Sequence, residues 1–126
     1  MPVPSPTRAR RERQRRYRKG QRGEMLAALY LQLHGWRILA RRYKTPCGEI
    51  DLIATRGKVI AFIEVKARKE KDAAAESIHR RNQQRVMQAA QIFLQHHPRY
   101  GQKMIRFDAC LIPWYGWPYH IPDAFS

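Results

Sequence analysis

The run KVIAFIEVKAR at residues 58–68 constrains this chain more than any other stretch. Val59, Ile60, Phe62, Ile63 and Val65 leave no polar face, and β-branched residues dominate, so the run reads as a strand covered on both sides and central to a sheet. EIDLIA (49–54) is a second strand, and Thr55, Arg56 and Gly57 make a short turn between the two, which predicts a hairpin. WRILARRY (36–43) reads as a further strand, separated from EIDLIA by Thr45, Pro46, Cys47 and Gly48.

Helical spacing flanks these strands. Met25, Leu26, Leu29, Tyr30 and Leu33 form an apolar stripe that predicts a helix over about residues 23–34, with Gly35 as its stop. Residues 74–96 contain no Gly or Pro and place Ile78, Val86, Ala89, Ala90 and Phe93 on one helical face, ending at His97, Pro98 and Gly101. KMIRFDACLI (103–112) alternates Ile105, Phe107, Ala109 and Leu111 against Arg106 and Asp108, as a half-buried strand does. The remaining segment, with Trp114, Trp117 and three prolines, is irregular or a short edge strand. The order αβββαβ predicts an α/β fold, a mixed sheet flanked by helices.

Charge divides the chain of 126 residues, which carries 25 Lys and Arg against 10 Asp and Glu for a net +15. Residues 1–22 hold nine bases (Arg8, Arg10, Arg11, Arg13, Arg15, Arg16, Arg18, Lys19, Arg22) and one acid, Glu12, a net +8 that leaves +7 for the other 104 residues. This segment predicts a disordered arginine-rich tail before a single domain over 23–126. Such a tail lies along a polyanion such as nucleic acid, through Arg11, Arg13, Arg15, Arg16 and Arg18, or serves only as a solubilising charge. An anionic membrane surface is the weaker alternative, since Tyr17 alone would anchor it. No apolar run approaches the roughly 20 residues of a membrane span. Cys47 and Cys110 form no CxxC or Cys/His cluster, which argues against a disulfide framework or structural zinc and fits the cytoplasm.

The strand pair also holds the chemistry. Glu64 and Lys66 share a face with Ile60 and Phe62, Asp51 shares one with Glu49 and Ile53, and the hairpin brings Asp51 towards Glu64. Two acids and a lysine converging there form a site for Mg²⁺ or Mn²⁺, or else a cross-strand salt bridge. The first reading gains weight because Ile60 and Phe62 imply a partly covered face, where an unpartnered charge is costly. Glu49, at the strand's start, is a further ligand or a solvent-facing acid. The five histidines make no HExxH-like arrangement and are expected at the surface or at helix ends, and Asp108 is expected to pair with a neighbouring Arg. Trp36, Trp114 and Trp117 are read as core or edge packing ahead of base stacking.

GEIDLIA (48–54) followed by FIEVKAR (62–68) resembles the YraN-like family of uncharacterised small bacterial proteins. That family is similar in turn to the PD-(D/E)xK, restriction endonuclease-like nuclease superfamily and to archaeal Holliday junction resolvases. The resemblance runs from about Gly23 to Leu111, and the αβββαβ order agrees with the superfamily core. It implies that Asp51 and Glu64 hold the metal, that Lys66 assists the nucleophile, and that Glu24 is the extra acid many such nucleases carry on the first helix. Without the resemblance, Glu24 reads equally as an acid favoured by the positive end of a helix dipole. The implied activity is metal-dependent endonucleolytic hydrolysis of phosphodiester bonds in DNA, branched or structured DNA included, with a homodimer placing two sites on two strands. One departure lies in the second helix, where the family pattern tends to have a lysine and this chain reads His79, Arg80, Arg81, Asn82. Arg80 and Arg81, with Arg85 on the same polar side of that helix, are therefore candidate phosphate contacts or a solvated face. The rival reading is a non-catalytic module on the same scaffold that binds DNA, RNA or the ribosome.

Overall fold

The apolar run at 58–68 takes the middle of the sheet. β3 (Val59–Ala67) is third of five strands in the order β1-β2-β3-β4-β5. It pairs antiparallel with β2 (Glu49–Arg56) and parallel with β4 (Met104–Ile112), while β1 (Arg37–Lys44) and β5 (Tyr119–Ile121) add antiparallel edges. The structure, a computed structural model, describes residues 23–67, 73–113 and 116–124, with backbone alone for 67 and 73–82. The tail with Arg11, Arg13, Arg15, Arg16 and Arg18, the side chains of Arg80 and Arg81, and Trp114 lie outside the described residues. Helix α1 (23–33) precedes the sheet, and α2 (Ala73–His96) is the crossover that a parallel β3–β4 pair requires. The fold is thus α/β with a mixed sheet between two helices, and no helix among the described residues is long and apolar enough to cross a membrane.

The β2–β3 turn begins two residues later than the sequence suggests. Thr55 and Arg56 stay in the ladder, opposite Ile60 and Val59, and Gly57–Lys58 form a two-residue loop. Gly57, at φ +57°, stands first in that loop, the position where a type II′ hairpin turn needs glycine.

Each face of the sheet carries its own core. Ile50, Ile53, Ile60 and Phe62 pack under Val86, Ala89, Ala90 and Phe93 of α2, with Tyr100 closing the cluster. Leu52, Ala54, Ala61, Ile63 and Cys110 pack under Ala27, Ala28 and Leu31 of α1, with Trp36. Burial of each large side chain in these clusters contributes about 1.5–3 kcal/mol.

Helix α1 buries a different face from the expected one. Met25, Leu29 and Leu33 are 58%, 49% and 64% exposed, and Leu26 is exposed as well. The buried positions are Glu24, Ala27, Ala28 and Leu31, at the spacing of a helix face. Small alanines let the helix lie close to the sheet, so the bulkier stripe turns outward.

The expected alternation in β4 also fails, for an electrostatic reason. Ile105 is exposed, whereas Asp108 is fully buried. Arg106 donates to Asp108 through Nε (2.8 Å) and Nη2 (2.9 Å), the Asp123 backbone N–H donates at 2.9 Å, and His120 Nε2 stands 2.7 Å from Oδ2. The Asp–Arg pairing is as expected, but His120 is not a surface histidine: it ties β5 to β4. His34, His96 and His97 do sit at helix ends, each with Nδ1 about 2.8–2.9 Å from the carbonyl four residues earlier. Trp36 is core, as read, whereas Trp117 is 69% exposed.

Burial alone would raise the Asp108 pKa, yet the hydrogen bonds from His120, Arg106 and the Asp123 N–H outweigh it and hold the carboxyl at about 2, below the ordinary 3.8. A depressed carboxyl stabilises the fold fully above the unfolded value and loses that contribution as pH falls from about 4 to about 2. Asp108→Asn should cost about 2–3 kcal/mol at neutral pH by removing the carboxylate that Arg106, His120 and the Asp123 N–H surround. Thermal melts of wild type and variant should converge as pH falls through that window.

Candidate active site

The β2–β3 ladder ends at Leu52↔Ile63, and one further step of the same register sets Asp51 opposite Glu64. There the strands stop exchanging backbone bonds, and the Val65 N–H donates instead to Asp51 Oδ2 at 2.8 Å. Strict alternation lapses at the same place. Ile50 packs with Ile53 on the α2 side while Leu52 packs on the α1 side, so Asp51 sits where β2 changes phase. The neighbouring edge strand is distorted too. Arg42 adopts φ +52°, a left-handed backbone rare for a long side chain, between the ladder pairs Arg41↔Leu52 and Tyr43↔Ile50.

These irregularities open a pocket of about 360 Å³ lined by Glu24, Arg42, Gly48, Glu49, Asp51, Ile63, Glu64, Arg85 and Val86. Four of the chain's ten acids therefore face one cavity in a protein of net charge +15. Three elements supply them: α1 gives Glu24, β2 gives Glu49 and Asp51, and β3 gives Glu64. Lys66 does not line the cavity. Its Nζ stands 4.0 Å from Glu64 Oε2, so it reaches the site through that carboxylate. Sequence reasoning missed Arg42, whose Nε lies 3.6 Å from Glu24 Oε2 and 3.5 Å from Glu49 Oε1. Arg85, read from the sequence as a phosphate contact or part of a solvated face, is brought by α2 to the rim of this pocket.

The electrostatics follow from this crowding. Burial pushes the Asp51 carboxyl up to about 6 against the opposing Val65 N–H bond, with Glu64 and Glu49 adding to the rise and Arg42 lowering it. Glu24 is also raised, by burial first and by Asp51 second, with Arg42 opposing. Aggregated carboxylates that resist ionisation are what a cation relieves. Among the described residues no three His, Cys, Asp or Glu side chains form a ready metal cage. The donor set nonetheless suits Mg²⁺ or Mn²⁺, which use one or two carboxylates and leave the other positions to water and phosphate oxygens.

The uncharacterised protein family UPF0102 matches residues 23–112, a span that holds Glu24, Asp51, Glu64 and Lys66. The chain belongs to the UPF0102 family. It is 49% identical over 114 residues to a UPF0102 protein of Mesorhizobium japonicum, covering 90% of each chain. A UPF0102 protein of Chelativorans sp. is 47% identical over 118 residues, covering 94% of this chain and 95% of the relative. A third, from Parvibaculum lavamentivorans, is 50% identical over 109 residues, covering 86% and 82%. The YraN-like resemblance read from GEIDLIA and FIEVKAR is thereby borne out.

In this UPF0102 protein Gly48 sets how close α2 approaches. A Cβ there would stand 2.9 Å from Arg85 Cβ and 3.1 Å from its carbonyl oxygen, groups that move only if the helix moves. Gly48→Ala should cost about 1–3 kcal/mol and displace Arg85 from the pocket rim, measurable by denaturant unfolding and by amide shifts around residue 85.

For Asp51 the sign is opposite to that of Asp108. A carboxyl raised to about 6 costs the fold nothing below about pH 4, progressively more up to pH 6, and its full amount above. Asp51→Asn, whose amide oxygen still accepts from Val65, should therefore raise the melting temperature at pH 8 by roughly 4 °C or more. At pH 4 the same variant should melt with the wild type.

Proposed function

We propose that this UPF0102 protein is a metal-dependent endonuclease that hydrolyses phosphodiester bonds in DNA, with branched or structured DNA as its substrate class. The observation that carries this reading is the convergence of Asp51, Glu64 and Glu24 on one pocket at the open end of the β2–β3 ladder, with Lys66 against Glu64. That placement agrees with the acid, acid-spacer-lysine pattern of the PD-(D/E)xK superfamily.

Asp51 and Glu64 would hold one Mg²⁺ or Mn²⁺, which when bound would neutralise phosphate charge and acidify water. Fixed by the Val65 N–H, Asp51 presents its carboxylate without reorganisation. Lys66 assists the nucleophile through Glu64, holding that carboxylate in place and adding positive charge behind it. Arg85 at the rim binds the phosphodiester, and the tail arginines together with Arg80 and Arg81 supply salt-sensitive, sequence-independent affinity. Glu24 completes the acidic wall. A homodimer would present two such sites to the two strands of a duplex. With Cys47 exposed and both cysteines free, the cytoplasm is the compartment of action.

One observation favours a second reading. Glu24, Glu49 and Glu64 already face Arg42 or Lys66, so the same residues serve as internal ion pairs in a non-catalytic module that binds DNA, RNA or the ribosome. The two readings separate in one assay. Linear, single-stranded and four-way-junction DNA are incubated with the full chain in Mg²⁺, Mn²⁺ or EDTA. The nuclease reading expects cleavage that EDTA stops, that Asp51→Asn abolishes, and that Lys66→Ala lowers by about 10²-fold or more while binding survives. Retention of DNA without cleavage in every condition would put the binding module first.

A further inference from the structure

The four carboxylates of the pocket are not equivalent. Arg42 places its Nε between Glu24 of α1 and Glu49 of β2, at 3.6 and 3.5 Å, whereas Asp51 and Glu64 stand together at the open end of the β2–β3 ladder. To reach that position the backbone of β1 turns left-handed at Arg42 in mid-strand, a conformation that asparagine or glycine tolerates far better than arginine. Its side chain is three-quarters covered and lines the same pocket as all four acids. A long, permanently charged group held in an unfavourable backbone and covered by protein needs the carboxylates as much as they need it.

We infer that Arg42 is a built-in second cation: the pocket takes a single divalent metal ion at Asp51 and Glu64, and the guanidinium occupies the place between Glu24 and Glu49 where a second would bind. This rests on the metal-dependent reading above and adds the stoichiometry to it. With Arg85 also on the pocket wall, two divalent ions and the two guanidiniums would put six positive charges against four carboxylates. One ion with Arg42 and Arg85 balances the four, so that the pocket does not repel a phosphodiester anion.

The test is a count of bound Mn²⁺. Full-length protein is titrated at neutral pH, with free Mn²⁺ followed by electron paramagnetic resonance and binding heat by calorimetry. Wild type should bind about one equivalent, Asp51→Asn should lose it, and Arg42→Lys, which keeps the charge, should hold about one. Arg42→Asn removes the charge while suiting the left-handed backbone, and should bind about two. Two equivalents on wild type would overturn the proposal without any variant. So would an Arg42→Asn protein that keeps one equivalent with unchanged affinity. No Mn²⁺ bound by wild type or by Arg42→Asn would instead sink the metal-dependent reading on which the proposal rests.

Discussion

Backbone hydrogen bonding between β2 and β3 runs from Arg56↔Val59 to Leu52↔Ile63, and then a side chain takes over when Asp51 accepts the Val65 N–H. The paired part is buried on both faces, by α1 on one side and α2 on the other, so its position is fixed by packing. The unpaired part inherits that fixity without its closure. Asp51 and Glu64 thus project from a rigid platform into a gap that backbone would otherwise fill. Arg42 and Gly48 shape the gap's other walls, one by a left-handed backbone and the other by letting α2 come close.

Two aspartates, Asp108 fully buried and Asp51 half-buried, show how differently the same side chain can be placed. Asp108 is surrounded by donors from Arg106, His120 and Asp123, and its carboxyl lies near 2; Asp51 has one backbone donor and three acidic neighbours in its pocket, and its carboxyl lies near 6. The first is a satisfied network that pins β5 and the last described residues to the sheet. The second holds charge that the fold itself does not compensate, the usual condition of a group kept for binding rather than for stability.

The central strands, the crossover helix and the Asp51, Glu64, Lys66 trio were legible because period-2 and period-3.6 patterns survive wherever burial follows hydrophobicity. The reading failed where it does not. On α1 the bulky stripe of Met25, Leu29 and Leu33 faces outward and Ala27 and Ala28 face the core, because closeness to the sheet selects small side chains. In β4, Asp108 counted as a solvent-facing position because its partners, His120 and Asp123, are twelve and fifteen residues away in sequence. Arg42 and Gly48 depend on a backbone torsion and on the distance between the β1–β2 loop and α2, neither of which leaves a periodic trace. The family strings point to the site and the polar side of the second helix to Arg85, but Arg42 enters only through the three-dimensional arrangement.

The parallel pairing of β3 with β4 bears on how the pocket comes into being. β1, β2 and β3 follow one another through short turns and can pair as each is completed, whereas Val59 meets Met104 only after α2 has been laid across the sheet. Closing that large loop is the slow, entropically costly event of such a topology. Arg85 and Val86, which wall the pocket from α2, therefore arrive late. On a ribosome the acidic face stays open until β4 has left the exit tunnel, so a chain truncated before residue 104 would carry the whole Asp51, Glu64, Lys66 motif with no finished cavity around it.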